Sequence, residues 1–270
     1  MCIAAWIWQS HAKYPLVLLS NRDEYYNRPS RQVEWWGEGD WKILGGRDEV
    51  AGGTWLGCTR EGRLALLTNF REPNPSSIAK SRGDLTRMFL QSHVSPLEFA
   101  EAIAKGAADY NGFNLILADL CSKTMVYVSN RPEGEPASVQ IVSPGLHVLS
   151  NAKLDTPWPK AVRLHEKFEE FLRNFRDEEI PGKEMVVNLM KDTVKADPSR
   201  LPNTGCSSEW EFHLSSIFVE VGSKQVLYGT RSMAALCVSS SGEASFYECY
   251  LDMEDDKWKD HTIQFHVKNM

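Results

Sequence analysis

Neither Cys-x-x-Cys nor His-x-x-x-His spacing occurs in this chain of 270 residues, although it holds six cysteines and seven histidines. That argues against a zinc ribbon, a thioredoxin-like motif or a dedicated metal site, and no resident metal or cofactor is expected. No apolar run reaches the roughly 20 residues that a membrane-spanning helix needs. The apolar start Cys2-Ile3-Ala4-Ala5-Trp6-Ile7-Trp8 lacks a preceding basic region, and His11 and Lys13 follow too soon for a cleavable signal. Asp23 and Glu24 arrive too early for an acid-poor transit leader. A basic excess is missing too: 36 acidic residues against 30 basic ones leave a net charge of -6, which excludes an ordinary nucleic-acid surface. Gly45-Gly46 and Gly52-Gly53 lead into no Gly-Lys-Ser/Thr, so there is no phosphate loop. Repeats and low-complexity linkers are absent. The chain reads as one cytoplasmic domain over residues 1–270, with reduced and mostly buried thiols.

What is present is a regular alternation of strands and helices. Residues 2–9 and Leu16-Val17-Leu18-Leu19-Ser20 read as antiparallel strands joined by a turn through 11–15. Residues 52–57 and 64–68 flank the turn Arg60-Glu61-Gly62 as a hairpin. Helices are expected over 84–92 and from Ser95, where Ser95-Pro96-Leu97-Glu98 has the form of a capping box. Strands follow near 113–119, 124–129, 139–142 and 147–150. A helix after Thr156-Pro157 carries Val162, His165, Phe168, Glu169 and Leu172 at helical spacing, and another covers 183–195. Residues 197–209 look like a loop, with strands near 212–220, 231–239, 243–249 and 261–267. Of nine tryptophans, Trp6, Trp8, Trp35, Trp36, Trp41 and Trp55 crowd the first quarter, as core residues or as the wall of an apolar pocket.

Cys2 is the first chemical lead. Removal of Met1 leaves a thiol and a free α-amine on one residue, and an α-amine of ordinary pKa about 7.7–8.0 can serve as base to the adjacent thiol. Ser20-Asn21-Arg22-Asp23-Glu24 stands where the second strand ends, which in an antiparallel hairpin lies beside the start of the first. A guanidinium there favours a thiolate, and a carboxylate can orient the amine. The same residues also suit a buried core cysteine and a solvated charged turn.

Several ordered motifs extend this reading along the chain: Met1-Cys2-Ile3, Asn21-Arg22-Asp23-Glu24, Gly52-Gly53-Thr54-Trp55-Leu56-Gly57, Leu67-Thr68-Asn69, Tyr110-Asn111-Gly112-Phe113-Asn114-Leu115, Leu149-Ser150-Asn151, Thr156-Pro157-Trp158 and Tyr228-Gly229-Thr230-Arg231. Together they resemble the NRDE family, the transport and Golgi organisation protein 2 family, which is similar to N-terminal nucleophile hydrolases of the penicillin V acylase and bile salt hydrolase type. The resemblance implies an α+β fold, a four-layer αββα sandwich. It implies Cys2 as nucleophile, Arg22 and Asp23 as its flanking pair (adjacent here, separated by two residues in those acylases), and Asn151 as oxyanion donor. Asn69 is a second amide of that kind, Arg231 a late active-site arginine, and Asn21 and Glu24 fall beside the substrate. Two activities are compatible with it. One is hydrolysis of a small linear amide or thioester. The other is non-catalytic binding and hand-over of an apolar ligand, haem as cargo or acyl-coenzyme A, linked to Golgi organisation, secretion and lipid homeostasis. Cytoplasm with Golgi or mitochondrial association is the expected location.

Overall fold

The structure, a computed structural model, describes residues 2–39, 42–176, 178–222 and 227–270. Met1 and Trp41 lie outside the described residues. The chain opens with strands β1 (Cys2–Trp8) and β2 (Leu16–Tyr25). Then come β3 (Ser30–Trp36), β4 (Ile43–Asp48), β5 (Leu56–Cys58), β6 (Arg63–Asn69), helices α1 (Gly83–Leu90) and α2 (Pro96–Ala104), and β7 (Phe113–Asp119), β8 (Thr124–Ser129) and β9 (Ser138–Ile141). The remainder holds β10 (Gly145–Leu149), α3 (Pro159–Asn174), α4 (Gly182–Leu189), α5 (Ser208–His213), β11 (Glu220–Gly222), β12 (Leu227–Val238), β13 (Glu243–Asp252) and β14 (Lys257–His266).

These elements form two compact units, each discontinuous in sequence. The first takes in the chain up to Asn27 with Pro144–Ser150 and Leu154–Gln264; the second takes in Arg28–Ser143, Asn151–Lys153 and Phe265–Met270. The sheet of the first unit runs β10-β1-β2-β12-β13-β14, with β11 also pairing β12. Strand alternation sends Ile3, Ala5 and Ile7 of β1 and Val17 and Leu19 of β2 to one face. There they join Leu164, Phe168 and Leu172 of α3 and Met185, Val186 and Leu189 of α4 in one core. Fully buried side chains such as Leu164 and Phe168 contribute about 1.5–3 kcal/mol each. Helix α3 therefore buries Ala161 and Leu164, with Val162 only half-buried and His165 exposed: the expected apolar stripe was out of register at its N-terminal end.

The sheet of the second unit runs β3-β4-β5-β6-β7-β8-β9. Phe113, Leu115 and Leu117 of β7 pack with Leu85 and Phe89 of α1 and Phe99 of α2. The capping box is as expected: Ser95 Oγ accepts from the Glu98 N–H at 3.3 Å, and Glu98 Oε2 accepts from the Ser95 N–H at 3.2 Å. Gly53 explains part of the Gly-Gly-Thr-Trp motif, because a Cβ there would lie 2.4 Å from the Gly83 carbonyl at the start of α1. Four tryptophans of the first quarter serve packing. Trp6 and Trp8 are fully buried, Trp35 stands edge-on to Phe265, and the Trp55 ring fills the space a Cβ on Gly46 would need.

Asp192 ties α3 to the loop after α4. Its carboxylate accepts from Lys167 Nζ at 2.7 Å, Arg163 Nε at 3.0 Å and the Val194 N–H at 2.8 Å. Burial pushes the carboxyl pKa up, but these three donors outweigh it and hold the group below its ordinary value. The stabilisation is therefore present above the ordinary carboxylate pKa and is lost as pH falls through the lowered one. Asp192→Ala should cost about 1–3 kcal/mol in a neutral urea melt, and the gap from the parent should close below about pH 4. A gap constant with pH would show that the charge contributes nothing.

Candidate active site

Cys2 is the first residue of β1, and the antiparallel register pairs it with Arg22 of β2. Residues so paired point to the same sheet face with Cβ atoms about 5 Å apart. Arg22 is paired in turn with Ser232 of β12, so cysteine, arginine and serine form one rung across three strands. Cys2 and Arg22 are both buried, at 8% and 5% exposure. Ser150 Oγ donates to the Cys2 carbonyl at 3.3 Å, fixing the backbone at the start of β1. Burial raises the Cys2 thiol pKa, and the Asp23 carboxylate adds to the rise. The Asp23 backbone N–H and the Arg22 guanidinium pull the other way without cancelling it. Such a thiol is a weak nucleophile until a base removes its proton.

The segment Asn21-Arg22-Asp23-Glu24 lies inside β2 and not at its end, which corrects the sequence expectation. Within a strand, neighbours in sequence face opposite sides. Arg22 thus shares the face of Cys2, while Asn21 and Asp23 turn to the helix-covered face. There Thr230 Oγ1 donates to Asp23 Oδ1 at 2.7 Å, and the Tyr228 hydroxyl donates to the Asp23 carbonyl at 2.9 Å. Thr230 itself accepts the Val219 N–H at 2.9 Å. Gly229 admits this close packing, since a Cβ there would meet the Val219 carbonyl at 2.5 Å. Asp23 therefore reaches Cys2 through its backbone N–H and its field, not by a shared face.

Asn21 is fully buried, and Nδ2 donates to the Met190 carbonyl at 2.9 Å and the Ile217 carbonyl at 3.0 Å. Both amide hydrogens thus fasten the sheet to the helix side, a structural duty in place of the expected substrate contact. Glu24 is half-buried and accepts the Tyr25 N–H at 2.9 Å. Arg231 occupies a β-bulge: the register of β12 against β2 shifts between Thr230 and Ser232, and Arg231 Nη1 donates to the Tyr25 carbonyl at 3.3 Å. From sequence, Thr230 enters only as part of the motif Tyr228-Gly229-Thr230-Arg231 and Ser232 not at all; the polar run Thr230-Arg231-Ser232 inside the strand Leu227–Val238 is the signal that marks them.

Asn69 and Asn151 belong to the second unit and are joined there. Asn151 Nδ2 donates to the Asn69 carbonyl at 2.8 Å, and the Arg71 N–H donates to the Asn151 carbonyl at 2.8 Å. Asn151 is fully buried. The same unit holds a cavity of about 670 Å³ whose wall mixes charged residues such as Glu72, Lys80 and Arg131 with apolar ones such as Ile78, Ala107 and Pro136. Among the described residues, no three His, Cys, Asp or Glu side chains converge to hold a metal, and no helix is long and apolar enough to cross a membrane.

A family profile described as Transport and Golgi organisation 2 matches residues 1–253. The chain belongs to that family. Its relatives include the Transport and Golgi organization 2 homolog of Mus musculus, 34% identical over 95% of this chain and 94% of that protein. The Homo sapiens homolog is 33% identical over the same shares. Among solved structures, the C2A mutant of conjugated bile acid hydrolase from Clostridium perfringens superposes with a TM-score of 0.50 at 11% identity, covering 98% of this chain and 97% of that one. This likeness is one of fold: α+β, the αββα sandwich type of the N-terminal nucleophile hydrolases, as the resemblance implied. Membership of the Transport and Golgi organisation 2 family does not by itself fix an activity.

Proposed function

We propose that the protein is a cysteine hydrolase of N-terminal nucleophile type acting on small linear amides or thioesters. The pairing of Cys2 with Arg22 across β1 and β2 carries this reading. After Met1 is removed, the α-amine of Cys2 takes the thiol proton and the sulfur attacks the substrate carbonyl. A C–S bond forms, and the leaving amine or thiol departs with that proton. Water then attacks the acyl-enzyme, the amine accepts its proton, and the carboxylic acid leaves as the thiol is restored. Arg22 stabilises the thiolate, Asp23 acts on the amine end through its field and backbone N–H from its position in β2, where Thr230 of β12 fixes its carboxylate, and Asn151 takes the oxyanion role. Arg231, Asn69 and Glu24 contribute to substrate recognition, whereas Asn21 anchors the sheet.

The test is the intact mass of protein isolated from its own cells, before and after treatment with an acylating thiol probe, beside a Cys2→Ala variant. Loss of Met1 with an adduct that vanishes in the variant is the expected result. A retained Met1, or labelling indifferent to Cys2, overturns the reading.

Burial of the Cys2 thiol, which raises its pKa, counts against a resting nucleophile, and the second reading is a non-catalytic carrier of haem or acyl-coenzyme A. Spectral titration with haem and calorimetry with acyl-coenzyme A test it, and flat responses in both dispose of it. Either activity is proposed to operate in the cytoplasm, associated with Golgi or mitochondria, and linked to secretion and lipid homeostasis. Cell fractionation checks this.

A further inference from the structure

We infer that Asn114 is a positioning residue that holds the Asn69–Asn151 pair in place for the oxyanion role of Asn151; the inference rests on the hydrolase reading above. Asn114 sits in β7 and is fully buried, on the face opposite Phe113, Leu115 and Leu117. Its amide nitrogen donates to Thr68 Oγ1 at 3.2 Å and to the Ala152 carbonyl at 2.9 Å. Thr68 immediately precedes Asn69, and Ala152 immediately follows Asn151. One planar group thus bridges the two segments whose own contact is the 2.8 Å bond from Asn151 Nδ2 to the Asn69 carbonyl.

The direction of the amide is determined by chemistry. The Ala152 carbonyl only accepts, so the nitrogen must face it, and Oδ1 is left to accept the Tyr127 hydroxyl at 2.7 Å. Tyr127 is itself buried, so this donor locks the amide against rotation. A fully buried amide is costly unless its bonds are made, and here the residues opposite it on both neighbouring strands, Thr68 and Ser129, are buried and polar too. What the amide adds is a fixed distance between the segment 68–69 and the segment 151–152. An oxyanion donor depends on such placement, because misplacement by about 1 Å can lower a rate about 100-fold.

The experiment compares two reactions of Cys2 in the Met1-processed protein, each corrected by the Cys2→Ala background. Acylation by p-nitrophenyl acetate develops charge on a carbonyl oxygen. Alkylation by iodoacetamide displaces iodide at a saturated carbon and develops none. Asn114→Asp should slow acylation about 10- to 100-fold while alkylation stays within about twofold of the parent. Tyr127→Phe, which deletes one hydroxyl, should slow acylation about threefold or more in the same selective way, and it keeps the test open if Asn114→Asp fails to fold. Unchanged acylation in a folded variant overturns the inference and leaves the hydrolase reading standing. A parallel fall in both reactions shows a merely structural role and also overturns it. A parent that is alkylated at Cys2 but never acylated defeats the hydrolase reading, and the positioning role with it.

Discussion

A protein carrying Asn21→Asp should be unfolded in dilute buffer at neutral pH. Asn21 has no exposure, and its two N–H groups are held by the Met190 and Ile217 carbonyls at 2.9 and 3.0 Å. An ionised aspartate offers only acceptors and would face two carbonyl oxygens where water does not reach. Losing two buried hydrogen bonds costs about 1–3 kcal/mol each, and burying an unpaired charge adds several more. The sum rivals the roughly 5–15 kcal/mol by which whole domains are stable. Protonation relieves part of it. The buried aspartate's pKa is raised above its unfolded value, so the variant is least unstable below the unfolded pKa and loses stability as pH rises through the folded one. Circular dichroism with urea titration at acid and neutral pH checks both statements. A neutral-pH transition within about 1 kcal/mol of the parent's would sink the structural duty given to Asn21.

The second large effect concerns reactivity. Arg22→Gln should lower the rate of Cys2 labelling at neutral pH about tenfold or more. The guanidinium across the rung favours the thiolate, against burial and against the Asp23 carboxylate, which both favour the thiol. Without it the pKa rises further, and each additional unit removes about nine-tenths of the thiolate at a pH well below the pKa. The pH–rate profile should therefore move to higher pH, with Arg22→Lys lying between. Identical profiles for parent and Arg22→Gln would show that the arginine does not act on the sulfur. Alkali has a further consequence through the buried thiols. Burial pushes Cys237 up to about 12 from 9.0. Its raised pKa gives stability that is full below the ordinary thiol value and lost as pH climbs through that window.

Where local chemistry decides, the sequence was a good guide. The continuous apolar run of β1, the Ser95 capping box and the hairpin of β5 and β6 carry their signals within a few residues. Strands β3 and β4 carry no comparable signal, since one is only partly buried and the other is broken by Gly45-Gly46. The strand expected near 212–220 is instead α5 followed by the short β11. The signal for it was Ser207, whose side chain accepts the Trp210 N–H and starts the helix. At the site, the approach of Arg22 to Cys2 followed from antiparallel geometry. The separation of Arg22 from Asp23 does not follow from a second strand over 16–20; it requires the alternation of β2 to continue through the charged segment to Tyr25. The duties of Asn21, Thr230 and Asn114 depend on partners 11 to 207 positions away, from Val219–Thr230 to Asp23–Thr230, pairings on which a single sequence is silent.

The bulge at Arg231 works as a phase break in β12. Thr230 and Met233 both stand opposite helix-side residues of β2, Asp23 and Asn21, although three positions separate them and regular alternation would demand an even count. Ironing the bulge out at constant length would therefore swing the Thr230 end to the other side of the sheet and detach Asp23 from its hydroxyl donor, whereas deleting Arg231 would restore the even count and leave Thr230 opposite Asp23. Arg231 is thus a spacer that the pairing of β12 with β2 does not itself need, so descendants of this gene could lose that residue and keep the faces of both ends of the strand.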